Sequence, residues 1–244
     1  MRLKITLGEE KEYKMPWSYN YFLASSIYFL LSKYSKRFSQ TVHSYGWRYK
    51  NKNLKLFSFS PLFPKKIFFE KEYIIMIGPF VFIISSPDSV FIEILENVIK
   101  KEKFLRILNY FLPVLKTNIY EIEKLSNTFR VRTLSPLVVS EIRNEEGKKV
   151  TSYLSPDSEN FYKKLKNIIK EKFECFTGEV LLSKDLEIFC ESYKSKLCRI
   201  KNINIKGYMA DLYLKGDVQV LRFVLESGIG EKTSMGFGMV EKCN

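Results

Sequence analysis

The chain has 244 residues, 45% of them apolar and 27% charged, with 40 Lys and Arg against 27 Asp and Glu for a formal charge of +13. That apolar content excludes wholesale disorder, and with no apolar run of about 18 residues a membrane-spanning helix is excluded as well. Residues 1–14 alternate as a charged strand and lack the small-residue cleavage site of a signal peptide.

Arg2 to Leu7 alternates apolar and polar residues and reads as a strand. Behind Pro16, with Ser18 as N-cap, Phe22, Leu23, Ile27, Leu30, Leu31 and Tyr34 recur at helical spacing. Asn53 to Ser60 reads as a strand ended by Pro61. Lys66 to Ile77 and Phe80 to Ser85 read as a hairpin around Gly78-Pro79. Asp88 or Ser89 caps a helix with Val90, Phe91, Ile94, Leu95 and Val98 on its apolar face, and Leu112 to Lys124 returns as a strand region.

The second half repeats this order. Phe129 to Val139 and Lys148 to Leu154 read as strands, and Pro156-Asp157 opens a helix carrying Phe161, Leu165, Ile168, Ile169 and Phe173. Leu186 to Phe189 and Leu197 to Leu214 supply strands. Asp217 to Glu226 fits either a strand or a short helix ended by Gly228; the repeated plan selects the helix. Gly238 to Lys242 closes as a strand. The architecture expected is α+β: two tandem ferredoxin-like (RRM-like) βαββαβ domains, 1–124 and 125–244, the second with a C-terminal glycine-rich loop.

The charge is unevenly spread. Residues 13–69 contain no Asp or Glu, but hold Lys33, Lys36, Arg37, Arg48, Lys50 and Lys55 among others. Tyr34, Phe38, Trp47, Tyr49, Phe57 and Phe59 are interleaved with them. Cations beside aromatic rings offer phosphate contacts and stacking surfaces together, so nucleic acid is the first partner to consider and a membrane surface the second. Cys175, Cys190, Cys198 and Cys243 form no Cys-x-x-Cys pair, and the chain has a single histidine. A zinc site of the usual spacing is therefore not expected, nor any other metal or cofactor, and free thiols fit a reducing cytoplasm.

Four of the chain's eleven glycines, Gly228, Gly230, Gly236 and Gly238, lie within 228–238, together with Lys232, Thr233 and Ser234. Such a loop can bring backbone N–H groups against phosphates, although its spacing is neither that of a P-loop nor that of a dinucleotide fingerprint. A turn joining the last helix to the last strand is the plainer reading. Gly-Ile-Gly-Glu-Lys-Thr-Ser-Met-Gly-Phe-Gly at 228–238 resembles the C-terminal signature of the repeat-cleaving CRISPR endoribonucleases, the CRISPR-associated protein six family of the RAMP superfamily. Pro-Trp-Ser-Tyr-Asn-Tyr at 16–21, Ser-Ile-Tyr at 26–28 and Lys-Leu-Phe-Ser-Phe-Ser at 55–60 extend the resemblance over essentially the whole chain.

His43, in the acid-free tract, would alone read as a surface or packing residue, though imidazole is the best single proton-transfer group near neutral pH. The resemblance implies that it acts with Tyr28 and Lys55. His43 would be general base on an RNA 2′-hydroxyl, or the acid for the leaving 5′-oxygen. Tyr28 would position or protonate the opposite oxygen, and Lys55 would stabilise the phosphorane-like charge, with no metal needed. The products would carry a 2′,3′-cyclic phosphate and a 5′-hydroxyl. Binding falls to the glycine loop with Lys232, to Arg130 and Arg132 on one strand face, and to Arg199 and Lys201 on another; a solvated strand face is the bland alternative for both pairs. The implied partner is CRISPR repeat RNA in the cytoplasm, with effector-complex subunits and a second copy of the chain left open. A non-catalytic repeat-binding subunit of an effector complex would keep the fold and lose the chemistry, and a general single-stranded RNA binder would treat unrelated RNAs alike.

Overall fold

The computed structural model describes residues 1–123, 125–145, 147–182 and 185–243. Lys124, where the expected first domain and its last strand end, and Asn244 lie outside them. Among the described residues no helix is long and apolar enough to cross a membrane.

The N-terminal half runs β1 (Arg2–Leu7), β2 (Glu12–Pro16), α1 (Asn20–Tyr34), α2 (Lys36–Gln40) and a π-helical turn at Thr41–Tyr45. It continues through β3 (Trp47–Tyr49), β4 (Lys52–Leu54), β5 (Ser58–Phe59), β6 (Lys66–Phe69), β7 (Tyr73–Ile77) and β8 (Phe80–Ser85). It closes with α3 (Ser89–Glu102), β9 (Phe104–Ile107) and β10 (Tyr110–Tyr120). The C-terminal half has β11 (Thr128–Thr133), β12 (Ser140–Glu145), β13 (Lys148–Tyr153), α4 (Glu159–Thr177) and β14 (Leu186–Ile200). It ends with β15 (Ile203–Gly216), α5 (Val218–Ser227), a 3-10 turn at Thr233–Met235 and β16 (Val240–Lys242).

The two main sheets share one topology. The first has the order β5-β8-β1-β10-β9 and the second β14-β15-β11-β16. Taking β1, β5, β8 and β10 as strands one to four of the first half, and β11, β14, β15 and β16 as those of the second, each sheet runs two-three-one-four. That is the ferredoxin-like arrangement, with β9 added at one edge. Each half buries a core of its own, one around Leu3, Ile27, Phe82 and Leu95, the other around Val131, Leu165, Leu212 and Val224. The helix caps follow from the sequence: Asp88 accepts from the Phe91 amide, and Asp217 from those of Gln219 and Val220.

Several expectations change. Ser18 does not cap α1; Tyr19 holds that position without a side-chain bond, because a backbone turn from Tyr19 N–H to the Pro16 carbonyl already leads into the helix. Val90 is exposed rather than core-facing. No hairpin forms at Gly78-Pro79: β7 pairs with β2 and β6, whereas β8 pairs with β1 and β5. The paired strands β1 and β8 turn a corner together into β2 and β7, and Gly78 N–H to the Lys11 carbonyl bonds the two bends.

The strand expected over Asn53–Ser60 divides into β4 and β5. Residues 55–57 leave the ladder because Leu56 is buried in the second core and Phe57 in the first. The strand expected over Phe129–Val139 ends at Thr133, short of Pro136. That expected over Leu197–Leu214 contains a turn at 201–202, which makes β14 and β15 one long antiparallel hairpin. The strand expected from Gly238 starts at Val240.

The halves are joined through buried polar groups as well as through Leu56. The buried Arg2 guanidinium donates to the Leu225 carbonyl at 3.0 Å and to the Val240 carbonyl at 2.5 Å. The first carbonyl lies in the last turn of α5, where positive charge is favoured. Arg2→Ala would leave both carbonyls buried without that donor. Chemical denaturation should show a loss of at least about 2 kcal/mol, since each hydrogen bond to a charged group is worth roughly 1.5–3 kcal/mol; an unchanged midpoint would contradict this reading of the joint.

Candidate functional site

Tyr28 projects from the middle of α1, half-buried. After Tyr34 the backbone becomes extended at Ser35, whose hydroxyl accepts from the Phe38 amide and starts α2. The chain thereby doubles back, and the Ser39 hydroxyl donates to the Tyr28 carbonyl at 2.9 Å. The π-helical turn that follows sets the exposed His43 edge-on to Tyr28, with ring centroids 4.8 Å apart at 79°. Gly46 ends the turn with φ +59°, where a Cβ would lie 2.1 Å from the Leu54 carbonyl oxygen. Only glycine lets the β3–β4 hairpin begin so close to the turn.

Lys55 leaves that hairpin pointing back. Its ammonium donates to the Val42 carbonyl at 2.5 Å and the His43 carbonyl at 2.7 Å. The three residues expected to act together are thus assembled by a helix, the turn over it and the strand end under the turn. Burial pulls the Lys55 amine below its usual value. Burial also pushes the Tyr28 phenol up, only partly offset by a hydrogen bond with the Ser234 side chain, so Tyr28 stays protonated at neutral pH.

Ser234 belongs to the glycine-rich loop, which comes from the other half. Thr233 Oγ1 donates to the Lys55 carbonyl at 3.5 Å. Gly228, Gly230, Thr233, Ser234, Gly236 and Gly238 are all buried, so the expectation of an open phosphate cradle is corrected. Many of the loop's amides are already bonded within the protein, among them Ile229 to Gly238, Glu231 to Val138, Gly236 to Thr233 and Gly238 to Pro136. Lys232 is the member of the expected set that reaches solvent.

The loop is also held by a residue that the sequence reading passed over. Lys172, on α4, is buried and donates to the Gly230 carbonyl at 2.9 Å and the Gly228 carbonyl at 3.4 Å. Burial brings its pKa down to about 7, with Glu231 acting in the opposite sense. The signal available was helical spacing: unlike Lys163, Lys164, Lys166 and Lys170, Lys172 falls on the apolar stripe of α4, seven residues after Leu165 and three after Ile169.

Arg130 and Arg132 do share one face of β11, but both are paired there, with Glu191 at 2.8 Å and Asp211 at 2.7 Å. Arg199 and Lys201 do not share a strand face: Lys201 sits in the turn between β14 and β15, and the Arg199 side chain donates to its carbonyl. Arg199 instead lines a groove of ≈ 380 Å³ between the halves, together with Lys196, Trp17, Phe63 and Phe69. Trp17 and Phe69 stack at 5.7 Å, the residues lining the groove include no Asp or Glu, and Lys201 lies over the nearby Tyr21 ring. Aromatic residues in the acid-free tract were the signal for this groove, but β14, which supplies its cations, lies far along the chain. Among the described residues no group of three or more His, Cys, Asp or Glu is placed to hold a metal ion.

Comparison with known proteins bears on this geometry. A family model described as CRISPR associated protein Cas6, C-terminal, matches residues 119–242. A Methanocaldococcus jannaschii protein named CRISPR-associated endoribonuclease Cas6 1 is 34% identical over 98% of this chain and 92% of its own length. A solved structure described as CRISPR associated protein Cas6 superposes with a TM-score of 0.84 at 31% identity, covering 100% of this chain and 99% of the other. Another, described as an RAMP protein binding different RNA substrates, reaches a TM-score of 0.87 over the full length of both chains at 23% identity, a likeness of fold.

The buried Lys172 makes stability depend on pH in a defined direction. Below about pH 7 the amine is charged whether the chain is folded or not, and the penalty of burying charge is fully present. Between there and its ordinary value of 10.5 only the unfolded chain keeps the proton, so stability gains as pH rises. The stability of the wild type relative to Lys172→Met should therefore climb from pH 7 to pH 10 in urea titrations; a flat difference would refute the burial effect.

Proposed function

Because the chain belongs to the Cas6 family of CRISPR-associated endoribonucleases, we propose that it cuts a CRISPR precursor transcript within each repeat, without a metal, through attack of the RNA's own 2′-hydroxyl. The observation that carries this reading is the edge-on pairing of Tyr28 with His43, on a turn whose carbonyls hold Lys55.

In this reading the N-terminal half carries the reacting groups. His43, the exposed member, takes the proton from the 2′-hydroxyl as that oxygen bonds to phosphorus. The bond from phosphorus to the 5′-oxygen breaks, and the leaving oxygen takes a proton from Tyr28, whose raised pKa keeps it a donor. Lys55 has three donors, of which two serve the Val42 and His43 carbonyls. The third faces the developing phosphorane charge, so this one side chain both fixes the turn and stabilises the transition state. One product end is a 2′,3′-cyclic phosphate and the other a 5′-hydroxyl.

Lys232 on the glycine-rich loop, Lys196 and Arg199 in the groove, and Lys201 at its edge form the track for the phosphate backbone, with the Trp17–Phe69 stack as a surface for unpaired bases. Arg130 and Arg132 contribute once RNA phosphates compete with Glu191 and Asp211. Four cysteines, all free, suit the cytoplasm, where the transcript is made. Effector-complex subunits and a second copy of the chain are further partners that this reading admits.

Single-turnover cleavage of host repeat RNA in EDTA tests the proposal. Wild type should cut once per repeat and leave a cyclic phosphate, and His43→Ala should be slower by about 10²–10⁴-fold. A 2′-deoxy nucleotide 5′ to the cut should abolish cleavage without weakening binding. A full rate for either control would overturn the mechanism. Tight repeat binding with no cut by wild type would make the protein a non-catalytic subunit.

A further inference from the structure

The candidate active site has two walls, one from each half, and both are fastened to one helix of the C-terminal half. One wall is the glycine-rich loop, which brings Thr233 to the Lys55 carbonyl and Ser234 to Tyr28. The other is the β3–β4 hairpin, which follows the His43 turn directly and runs into Lys55.

Helix α4 holds each wall through residues no more than three positions apart. Lys172 donates to the carbonyls of Gly228 and Gly230 at the start of the loop. On an adjacent face, Glu171 and Glu174, three residues apart, reach the hairpin: Lys52 pairs with Glu171, and the Tyr49 hydroxyl donates to Glu174 at 2.5 Å. Glu174 is itself oriented by the Leu181 amide at 3.2 Å. Beyond Lys172, Glu231 accepts from the Ser140 amide and hydroxyl and fastens the next residue of the loop.

A buried lysine is an expensive way to fill space, since methionine would occupy much the same volume with no charge to desolvate. What lysine supplies here is a donor for two inward-facing carbonyls, and hence one fixed path for the loop. We infer that α4 is the positioning element of the reaction: Lys172 sets the loop that meets Tyr28 and Lys55, and the Glu174–Tyr49 and Glu171–Lys52 pairs set the hairpin that bears on His43 and Lys55. These residues touch no substrate. The inference rests on the reading of Tyr28, His43 and Lys55 as the reacting groups.

The test combines kinetics with amide hydrogen exchange on Lys172→Met and Tyr49→Phe, with Lys163→Met on the outer face of α4 as control. Misplacing reacting groups by about 1 Å costs roughly 10²-fold, so Lys172→Met should lower the single-turnover rate at saturating repeat RNA by about 10–100-fold. Its RNA affinity should stay within about threefold of wild type, because no binding group is removed. Tyr49→Phe should lower the rate by roughly 3–10-fold, the loss of a single hydrogen bond, and Lys163→Met should leave it unchanged. Exchange at 229–236 should quicken in Lys172→Met alone.

Folded Lys172→Met and Tyr49→Phe proteins that cut at the wild-type rate would overturn the inference. If Lys172→Met does not fold, Tyr49→Phe decides by the same rate and affinity comparison. If wild type itself does not cut, the catalytic reading fails on its own, and unchanged exchange at 229–236 in Lys172→Met would then also remove α4's hold on the loop.

Discussion

The glycine-rich loop has to run between the two halves with no room for side chains at its closest points, and the rest of the molecule is organised around that passage. A Cβ on Gly228 would lie 2.7 Å from Cβ of Ser58, and one on Gly236 would lie 2.8 Å from the Phe59 ring. Ser58 and Phe59 form the edge strand of the first sheet, so a segment of the C-terminal half is pressed against the N-terminal sheet at backbone distance. The contact joins the two cores and delivers Ser234 to Tyr28. Neither half has a complete candidate site alone: one brings Tyr28, His43 and Lys55, the other the loop and helix that hold them in place.

That constraint explains where polar groups are buried. Arg2 and Lys172 are both buried basic side chains, and both donate to backbone carbonyls of the C-terminal half. Helix ends and tight loops leave carbonyls without partners, and at an interface water cannot reach them. One such side chain satisfies two at once. The remaining positive charge stays outside, along the groove and on Lys232, where a polyanion can meet it and where the attraction weakens as salt rises.

Much of the fold was legible from the sequence. Among the described residues, two four-strand ferredoxin-like units are present with α1 to α5, of which α2 alone was unforeseen, and Asp88 caps α3 as its position suggested. The departures occur where tertiary contacts override local pattern. Residues 53–60 alternate well enough for one strand, yet Leu56 and Phe57 are claimed by different cores, and the ladder breaks between them. The corner at Gly78 looked like a hairpin because two strands do meet there, but each keeps its partner in another sheet.

The site was legible in a different way. Tyr28 and Lys55 carry no local signal and enter the candidate site through resemblance to a family, whereas His43 is the lone histidine in an acid-free tract. The glycines do mark a close backbone approach, and in this structure the surface approached is the other half of the protein. Lys172 lies on the apolar stripe of α4 with Leu165 and Ile169, so its burial was readable from helical spacing, but the carbonyls it serves lie on a loop far along the chain and were not. The measurement that bears most directly on this account is a structure of the protein with repeat RNA carrying a 2′-deoxy nucleotide at the cut. The account predicts the scissile phosphate within hydrogen-bond reach of the Tyr28 hydroxyl and the Lys55 ammonium, with the His43 imidazole beside the 2′ position. A scissile phosphate seated elsewhere, such as on the Arg130–Arg132 face, would contradict it.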